Sequence, residues 1–408
     1  MIGRRRALHL AGGGIAAAVL PQLNGAIAAD QPPLTPGLPE GMKQTAVMDA
    51  LPGKKPLIKL SYRPPNYETP LSYFNEVITP NDVFFVRYHL SNIPEVSLND
   101  WKLRIAGDAA ERPLELTMNE LKRDFPQTEV VAVNQCSGNR RGLSQPHVQG
   151  LEWGYGGMGN ARWKGVRLKD VLAKAGIKKE AVEIAFDGAD GGIVDKTPDF
   201  VKSLPVWRAI DESTLIAWDM NGAPLPHWNG FPARLVVPGW TGTYWVKHLT
   251  SIEVRRTPLA NFWMAGAYRI PVGKFALVDR FVSQETALNT PITEIVVNSL
   301  ITNLLDGASL KAGQQMTLRG IAWDGGYGIS EVSVSTDGGR SWRPAKLGED
   351  LGKYSFRGWS YDMTPAAGAM SVMVRATNRL GASQPQQPVW NPAGYHHNPI
   401  QKLDLKAA

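Results

Sequence analysis

The chain has 408 residues, of which 43% are hydrophobic and 20% charged, with a formal net charge of +7 at pH 7. That length exceeds the usual single domain, so two domains are the starting expectation. The charge excess is modest and no lysine/arginine stripe is interleaved with aromatics, which argues against a nucleic-acid partner.

Residues 1–28 read as an export signal. Arg4, Arg5 and Arg6 precede a short glycine- and alanine-rich run that exits through Ala26-Ile27-Ala28. Adjacent arginines before a weakly apolar stretch are the twin-arginine pattern, which implies a periplasmic protein exported already folded. Crossing a bilayer takes about 20 apolar residues, more than this run supplies, so no membrane span is expected. Cleavage would remove three arginines and no acid, lowering the net charge from +7 to +4.

Residues 29–80 are punctuated by proline ("QPPLTPGLPE", "YRPPNYETP") and are expected to wrap the surface. Over 81–289 short strands and helices mix. "DVFFVRYHL" and "WKLRIAG" read as strands, and "LTMNELKRDF" as a helix opened by a Thr117–Glu120 capping box. "EVVAVNQ" is a buried strand, "VRLKDVLAKAG" a helix stopped by Gly176, and "AVEIAFDG" another strand. "LIAWDM", an Asn221-Gly222 turn, "ARLVVPG" and "YWVKHLTSIEV" continue the strands. This is an α+β pattern without regular βαβ alternation, and it has no phosphate-loop lysine. Residues 290–408 change texture. "QQMTLRGIAWDG", "ISEVSVSTDGGRSWRPAKL" and "GAMSVMVRATN" alternate between glycine turns, with Asp337-Gly338 as a hairpin signal, and predict a β-sandwich.

The chemistry centres on "NQCSGNRRG". Cys136 is the only cysteine in the chain and follows an apolar strand. A lone cysteine there is commonly a small buried hydrophobe. An exported chain has reason to avoid a free thiol, however, and the turn after Cys136 brings backbone N–H groups and two guanidinium groups near the sulfur. Positive charge favours the thiolate, the form that binds a soft metal. With no second cysteine to resolve a redox cycle, a metal ligand is the better functional reading.

Six stretches together are similar to the sulfite oxidase family of molybdenum enzymes: "FFVRYH", "NQCSGNRRG", "GLEWGYGGMGNARWKGVRL", "GFPARLVVPGWTGTYWVKHL", "FWMAGAYR" and "GIAWDGGYGISEVSVSTDGGRSW". The resemblance runs over roughly residues 60–400 and is nearest to the molybdenum subunit of bacterial periplasmic sulfite dehydrogenases. It implies a mixed molybdopterin-binding domain followed by an immunoglobulin-like β-sandwich, and molybdenum held with one molybdopterin. Position by position, Cys136 matches the thiolate ligand to the metal. Arg87 and Arg141 match the arginines that hold an oxyanion, a task suited to the planar, permanently charged guanidinium. Trp153 matches a pocket-wall tryptophan, and Tyr268 the tyrosine whose hydroxyl lies beside the metal. His89, Asn229, Arg234 and the Trp245-Val246-Lys247 run fall where the family grips the pterin and its phosphate, and Asp190 matches an acidic cofactor contact.

Taken singly, each has a plainer reading: arginines beside strands are mostly solvated, and buried tryptophan and tyrosine mostly pack cores. "GYHHNP" reads as a structural loop, and "HWNG" lacks the spacing of a zinc helix. Two positions depart from the animal pattern. Tyr327 stands where an arginine is usual, and Asn229 where a histidine is common. The implied reaction is oxidation of sulfite to sulfate, with reduction of a sulfoxide or another oxyanion as the alternative. There is no CxxCH haem attachment and no cysteine set for an iron–sulfur cluster. The expected acceptor is therefore a separate c-type cytochrome, either transient or a stable haem subunit. The resemblance leaves the oligomeric state open between a homodimer through the sandwich and a cytochrome held at the face near the metal.

Overall fold

The capping box predicted at the first helix forms in full. Thr117 Oγ1 accepts from the Glu120 N–H, and the Glu120 carboxylate accepts from the Thr117 N–H at 2.8 Å, opening the helix Met118–Asp124. The helix Leu168–Ala175 ends at Gly176, whose φ of 74° is open to glycine without strain. The computed structural model describes residues 47–272 and 288–408. The expected export signal, residues 1–28, and the first part of the proline-rich segment lie outside them.

Two five-stranded sheets and a four-stranded one that runs from Val47–Asp49 to Val86–Arg87 build the first half. One five-stranded sheet orders Lys202–Pro205, Glu183–Gly188, Leu249–Arg255, Lys102–Ala106 and Leu114–Thr117, antiparallel except for one parallel pairing between Leu249–Arg255 and Lys102–Ala106. The other orders Ala223–Pro224, Leu215–Met220, Met158–Arg167 and Gln127–Gln135, with Arg234–Val236 also paired to Leu215–Met220. Both contribute to one core that includes Ile105, Trp163, Ile216 and Ile252. The strand Gln127–Gln135 pairs with Met158–Arg167 along its whole length, from Gln127 opposite Val166 to Gln135 opposite Met158. That unbroken ladder delivers Cys136 at a fixed height.

The second half is an immunoglobulin-like β-sandwich. One sheet orders Asn298–Ile301, Met316–Trp323, Arg357–Met363 and Lys346–Leu347. The other orders Ser309–Leu310, Gln401–Ala407, Gly368–Asn378, Ile329–Ser335 and Arg343–Pro344. Leu318, Val332, Trp359, Val374 and Leu403 pack between them. Gln401–Ala407 alternates buried and exposed residues along its length, a period-two signal that sequence reasoning passed over. The two halves share a further cluster in which Val133 and Met158 meet Leu300, Ile321 and Trp323.

Three expected features change. Residues 57–68, taken as a surface wrap, form two strands with Leu57, Ile58, Tyr67 and Glu68 buried, and Asn66–Glu68 pairs onward to Val86–Arg87. The strand expected over "DVFFVRYHL" contracts to Val86–Arg87, with Val83, Phe84 and Phe85 buried ahead of it outside any ladder. "YWVKHLTSIEV" becomes a strand only from Leu249, since His248 turns left-handed at φ 49°. No helix among the described residues is long and apolar enough to cross a membrane.

Candidate active site

Ends of these strands surround a cavity lined by both polar and apolar side chains. Cys136 enters it from the end of Gln127–Gln135, buried. Its turn is held by backbone bonds: the Cys136 N–H donates to Gly157 O at 2.8 Å, the Asn139 N–H to Cys136 O at 2.9 Å, and the Arg140 N–H to Gly154 O at 2.7 Å. Glu68 accepts from the N–H groups of Gly154 and Gly156, fixing the facing segment. From the sandwich, Trp323 Nε1 donates to Gln135 Oε1 at 2.6 Å, one residue before the thiol.

One end of the cavity is cationic. Lys247 Nζ donates to Arg87 O at 2.8 Å, and Arg234 donates to Asn229 O and Trp245 O, both at 2.9 Å. Behind them Lys54 donates to Asn81 O, Phe84 O and Asn229 Oδ1. Their hydrogen-bond partners are neutral oxygens, so the charges are desolvated without neutralisation. Burial accordingly pulls Lys54 down to about 7 and Arg234 to about 9. Burial pulls Lys247 well down too, opposed by the Asp190 carboxylate, while burial pushes Asp190 up against the pull of Lys247.

The other end holds Tyr268, a non-glycine residue at φ 57°, a conformation that needs its surroundings to hold it. Arg87 Nη2 donates to the Tyr268 hydroxyl at 3.4 Å, and His89 Nε2 is bonded to the same oxygen. Arg87 Nη1 is occupied by Asn66 Oδ1 and Tyr88 O. His89 stacks on Phe200 at 3.7 Å. Burial, and then the charges of Arg87, Lys247 and Lys202, hold its pKa well below the usual range, so the imidazole is neutral at pH 7.

Cys136, Arg87, His89, Asp190, Asn229, Arg234, Trp245, Val246, Lys247 and Tyr268 all line the cavity. Arg141 and Trp153 do not. The Arg141 guanidinium is wedged beside Gly138, where an added Cβ would lie 2.5 Å from its central carbon. It donates to Ala393 O at 2.8 Å and lies over the Tyr395 ring, which stacks on Tyr268 at 5.9 Å. Trp153 is fully buried, edge-on to Phe85, and it is Phe85 that faces the cavity. Asn229 grips structure with its side chain, accepting from Lys54 and donating to Phe85 O. Tyr327 lies at the surface, bonded to Glu294. Sequence reasoning missed Asn134, Ser137 and Thr243, which line the cavity, and Tyr395, whose approach depends on a C-terminal loop. Asn134 and Ser137 flank Cys136 closely enough that the motif itself pointed to them.

Among the described residues no group of three or more histidine, cysteine or acidic side chains is placed to hold a metal ion alone. The polar surroundings are nonetheless poised for a ligand. Asn134 Oδ1, Ser137 Oγ, Thr243 Oγ1 and Arg234 Nε are buried on lining residues without any hydrogen-bond partner, a costly arrangement in a finished core. Unmet polar atoms, unneutralised cations and a thiol on one wall fit a large, polar, anionic group with a soft metal.

Fold and site thus define a molybdopterin-binding oxidoreductase. Residues 89–263 match the oxidoreductase molybdopterin binding domain, and residues 289–407 the Mo-co oxidoreductase dimerisation domain. The chain belongs to the sulfite oxidase family. It is 36% identical over 376 residues to the mitochondrial sulfite oxidase of Macaca fascicularis, across 88% of this chain and 67% of that protein. It is 35% identical over 354 residues to the sulfite oxidase of Gallus gallus, across 82% and 74%. The fold is similar to the crystal structure of the sulfane dehydrogenase SoxCD from Paracoccus pantotrophus, with a TM-score of 0.73, 25% identity, and coverage of 97% of this chain and 93% of that one. The cofactor is molybdenum with molybdopterin.

Proposed function

We propose that this chain oxidises sulfite to sulfate in the periplasm and passes the electrons to a c-type cytochrome. The observation that carries the reading is the convergence of Cys136, Arg87, His89 and Tyr268 on one cavity that Arg234 and Lys247 also line. Sulfite gains one oxygen, ultimately from water, releasing two protons and two electrons. When bound, the molybdenum–pterin group supplies the two-electron redox chemistry.

The residues of the chain supply the rest. The Cys136 thiolate holds the metal. Arg234, Lys247, Asn134, Ser137 and Thr243 hold the pterin and its phosphate, giving the orphaned polar atoms partners and the buried cations a counter-charge. Arg87 keeps its Nη2 edge toward Tyr268 and donates to the substrate anion, a charge-assisted contact stronger than a neutral one. The Tyr268 hydroxyl, shared with neutral His89, donates beside it. Arg141 acts from behind, through Tyr395 and Tyr268, rather than touching the anion. Work of this kind is positioning and preorganised electrostatics.

A second reading has its own support. The likeness to the sulfane dehydrogenase extends over nearly the whole chain, which favours a sulfane sulfur as substrate. Purified holoenzyme separates the two. The proposal expects near-stoichiometric molybdenum, sulfite-dependent reduction of cytochrome c, and little turnover of thiosulfate. Molybdenum with turnover of sulfane sulfur alone would favour the second reading, and no molybdenum would remove both.

A further inference from the structure

Lys202 lies in the strand Lys202–Pro205, is 1% exposed, and has no assigned role in the reaction. Its one side-chain hydrogen bond among the described residues is from Nζ to Trp263 O at 2.6 Å. The ammonium sits 4.8 Å from the ring centre of Tyr244 and 5.2 Å from that of Tyr268. The charged groups that act on it are Arg269, which is unfavourable, and Glu183, which is favourable. Glu183 is already bonded to Ser203 Oγ and the Leu259 N–H. Burial, with Arg269 second, brings Lys202 down to about 7. A buried lysine with no paired carboxylate is expensive, and an apolar side chain would pack there at lower cost.

What Lys202 does have is a face-on contact with the one tyrosine whose backbone is strained at the cavity wall. Tyr268 holds φ 57° while its hydroxyl meets Arg87 and His89. The carbonyl that Lys202 grips belongs to Trp263, whose ring packs edge-on against His89. One cation thus touches both supports of the hydroxyl cluster.

We propose that Lys202 is a positioning residue for the substrate anion: its ammonium clamps the Tyr268 ring and sets the phenol hydroxyl beside Arg87. The proposal rests on the reading that an oxyanion binds beside Tyr268. A desolvated cation–aromatic contact of this kind is worth roughly 5- to 30-fold in binding.

The test uses oxidised holoenzyme and sulfate as a redox-inert probe, with Kd followed by tryptophan fluorescence, beside KM and kcat for sulfite. Lys202→Met removes charge and donor; Lys202→Gln keeps a donor for Trp263 O without the charge, and serves should the first variant not fold. Both are made in wild-type and Tyr268→Phe backgrounds. The expected result is a sulfate Kd and sulfite KM raised about 5- to 30-fold by either variant, with a smaller change in kcat, shrinking to less than about twofold once the hydroxyl is gone. The same factor in both backgrounds, or unchanged Kd and KM in folded variants, overturns the proposal while leaving the site intact. A wild-type enzyme that binds no sulfate and turns over no sulfite overturns the anion-site reading and this proposal together.

Discussion

Arg140 Nη1 donates to Asn298 Oδ1 at 2.6 Å, joining the turn that carries Cys136 to the sandwich strand Asn298–Ile301. Arg140 is 2% exposed, takes φ 70°, donates also to Pro399 O at 3.1 Å, and lies over the Tyr155 ring. Its neighbour Arg141 turns the other way, toward Tyr395. Adjacent arginines thus tie the thiol's turn to two different parts of the C-terminal half. Replacing Arg140 with methionine strands Asn298 Oδ1, while Pro399 O keeps its bond from Gln384 Nε2 and one buried charge is relieved. A net loss of about 1–3 kcal/mol is expected, read as a lower denaturant midpoint with an unchanged slope.

Cys136→Ser keeps the size of the side chain and removes the soft ligand. Sulfite turnover should fall to background, with far-ultraviolet circular dichroism unaltered. Turnover at the wild-type rate in that variant would displace the thiol from its assigned role.

Arg87→Ala removes the guanidinium edge that faces Tyr268. A charge-assisted hydrogen bond of about 1.5–3 kcal/mol corresponds to a loss of roughly 10- to 100-fold in kcat/KM for sulfite. Steady-state kinetics at fixed ionic strength decides it; an unchanged kcat/KM takes Arg87 out of the substrate site.

Gly138→Ala tests the layer behind the wall. Its Cβ would lie 2.5 Å from the Arg141 guanidinium, which also faces Gly150, while Gly394 faces the Arg141 stem. Arg141 must shift against Tyr395, and Tyr268 with it. A displacement approaching 1 Å should lower kcat/KM on the order of tenfold, without loss of molybdenum.

His248 should make stability sensitive to acid. Phe231 O can only accept, so Nδ1 carries the proton and Nε2 accepts from the Tyr88 hydroxyl at 2.7 Å. Burial, with the Lys247 charge second, pulls His248 down to about 3. Its folded value lies below the unfolded one, so between about pH 6.5 and 3 the unfolded chain binds the extra proton. The stability contribution is complete above about pH 6.5 and is lost progressively as pH falls, by about 2 kcal/mol at pH 5 from this residue alone. Chemical denaturation of His248→Gln at pH 7 and pH 5 should show a shallower dependence than wild type.

The turn around Cys136 was legible because its chemistry is local: a strand end, a lone thiol, two arginines and a glycine lie within a few residues. The capping box and the Gly176 stop were legible for the same reason. The partners of Asn229 were not, because Lys54 lies far away in the chain, inside a segment whose prolines suggested surface. Arg141 looked like a substrate arginine by position, yet which way a guanidinium turns depends on what occupies the space beside it, and a loop from the far end of the chain occupies it here.

By itself the sequence determined the strands, the caps, the α+β half followed by a sandwich, and the kinds of side chain the chemistry needs, since hydrophobic period, turn residues and donor atoms are all written within short windows. Tertiary structure alone decided which polar groups find partners and which are left facing the cavity. Burial and hydrogen-bond completion depend on neighbours more than a hundred residues apart, as when Arg140 meets Asn298 and Tyr268 meets Tyr395.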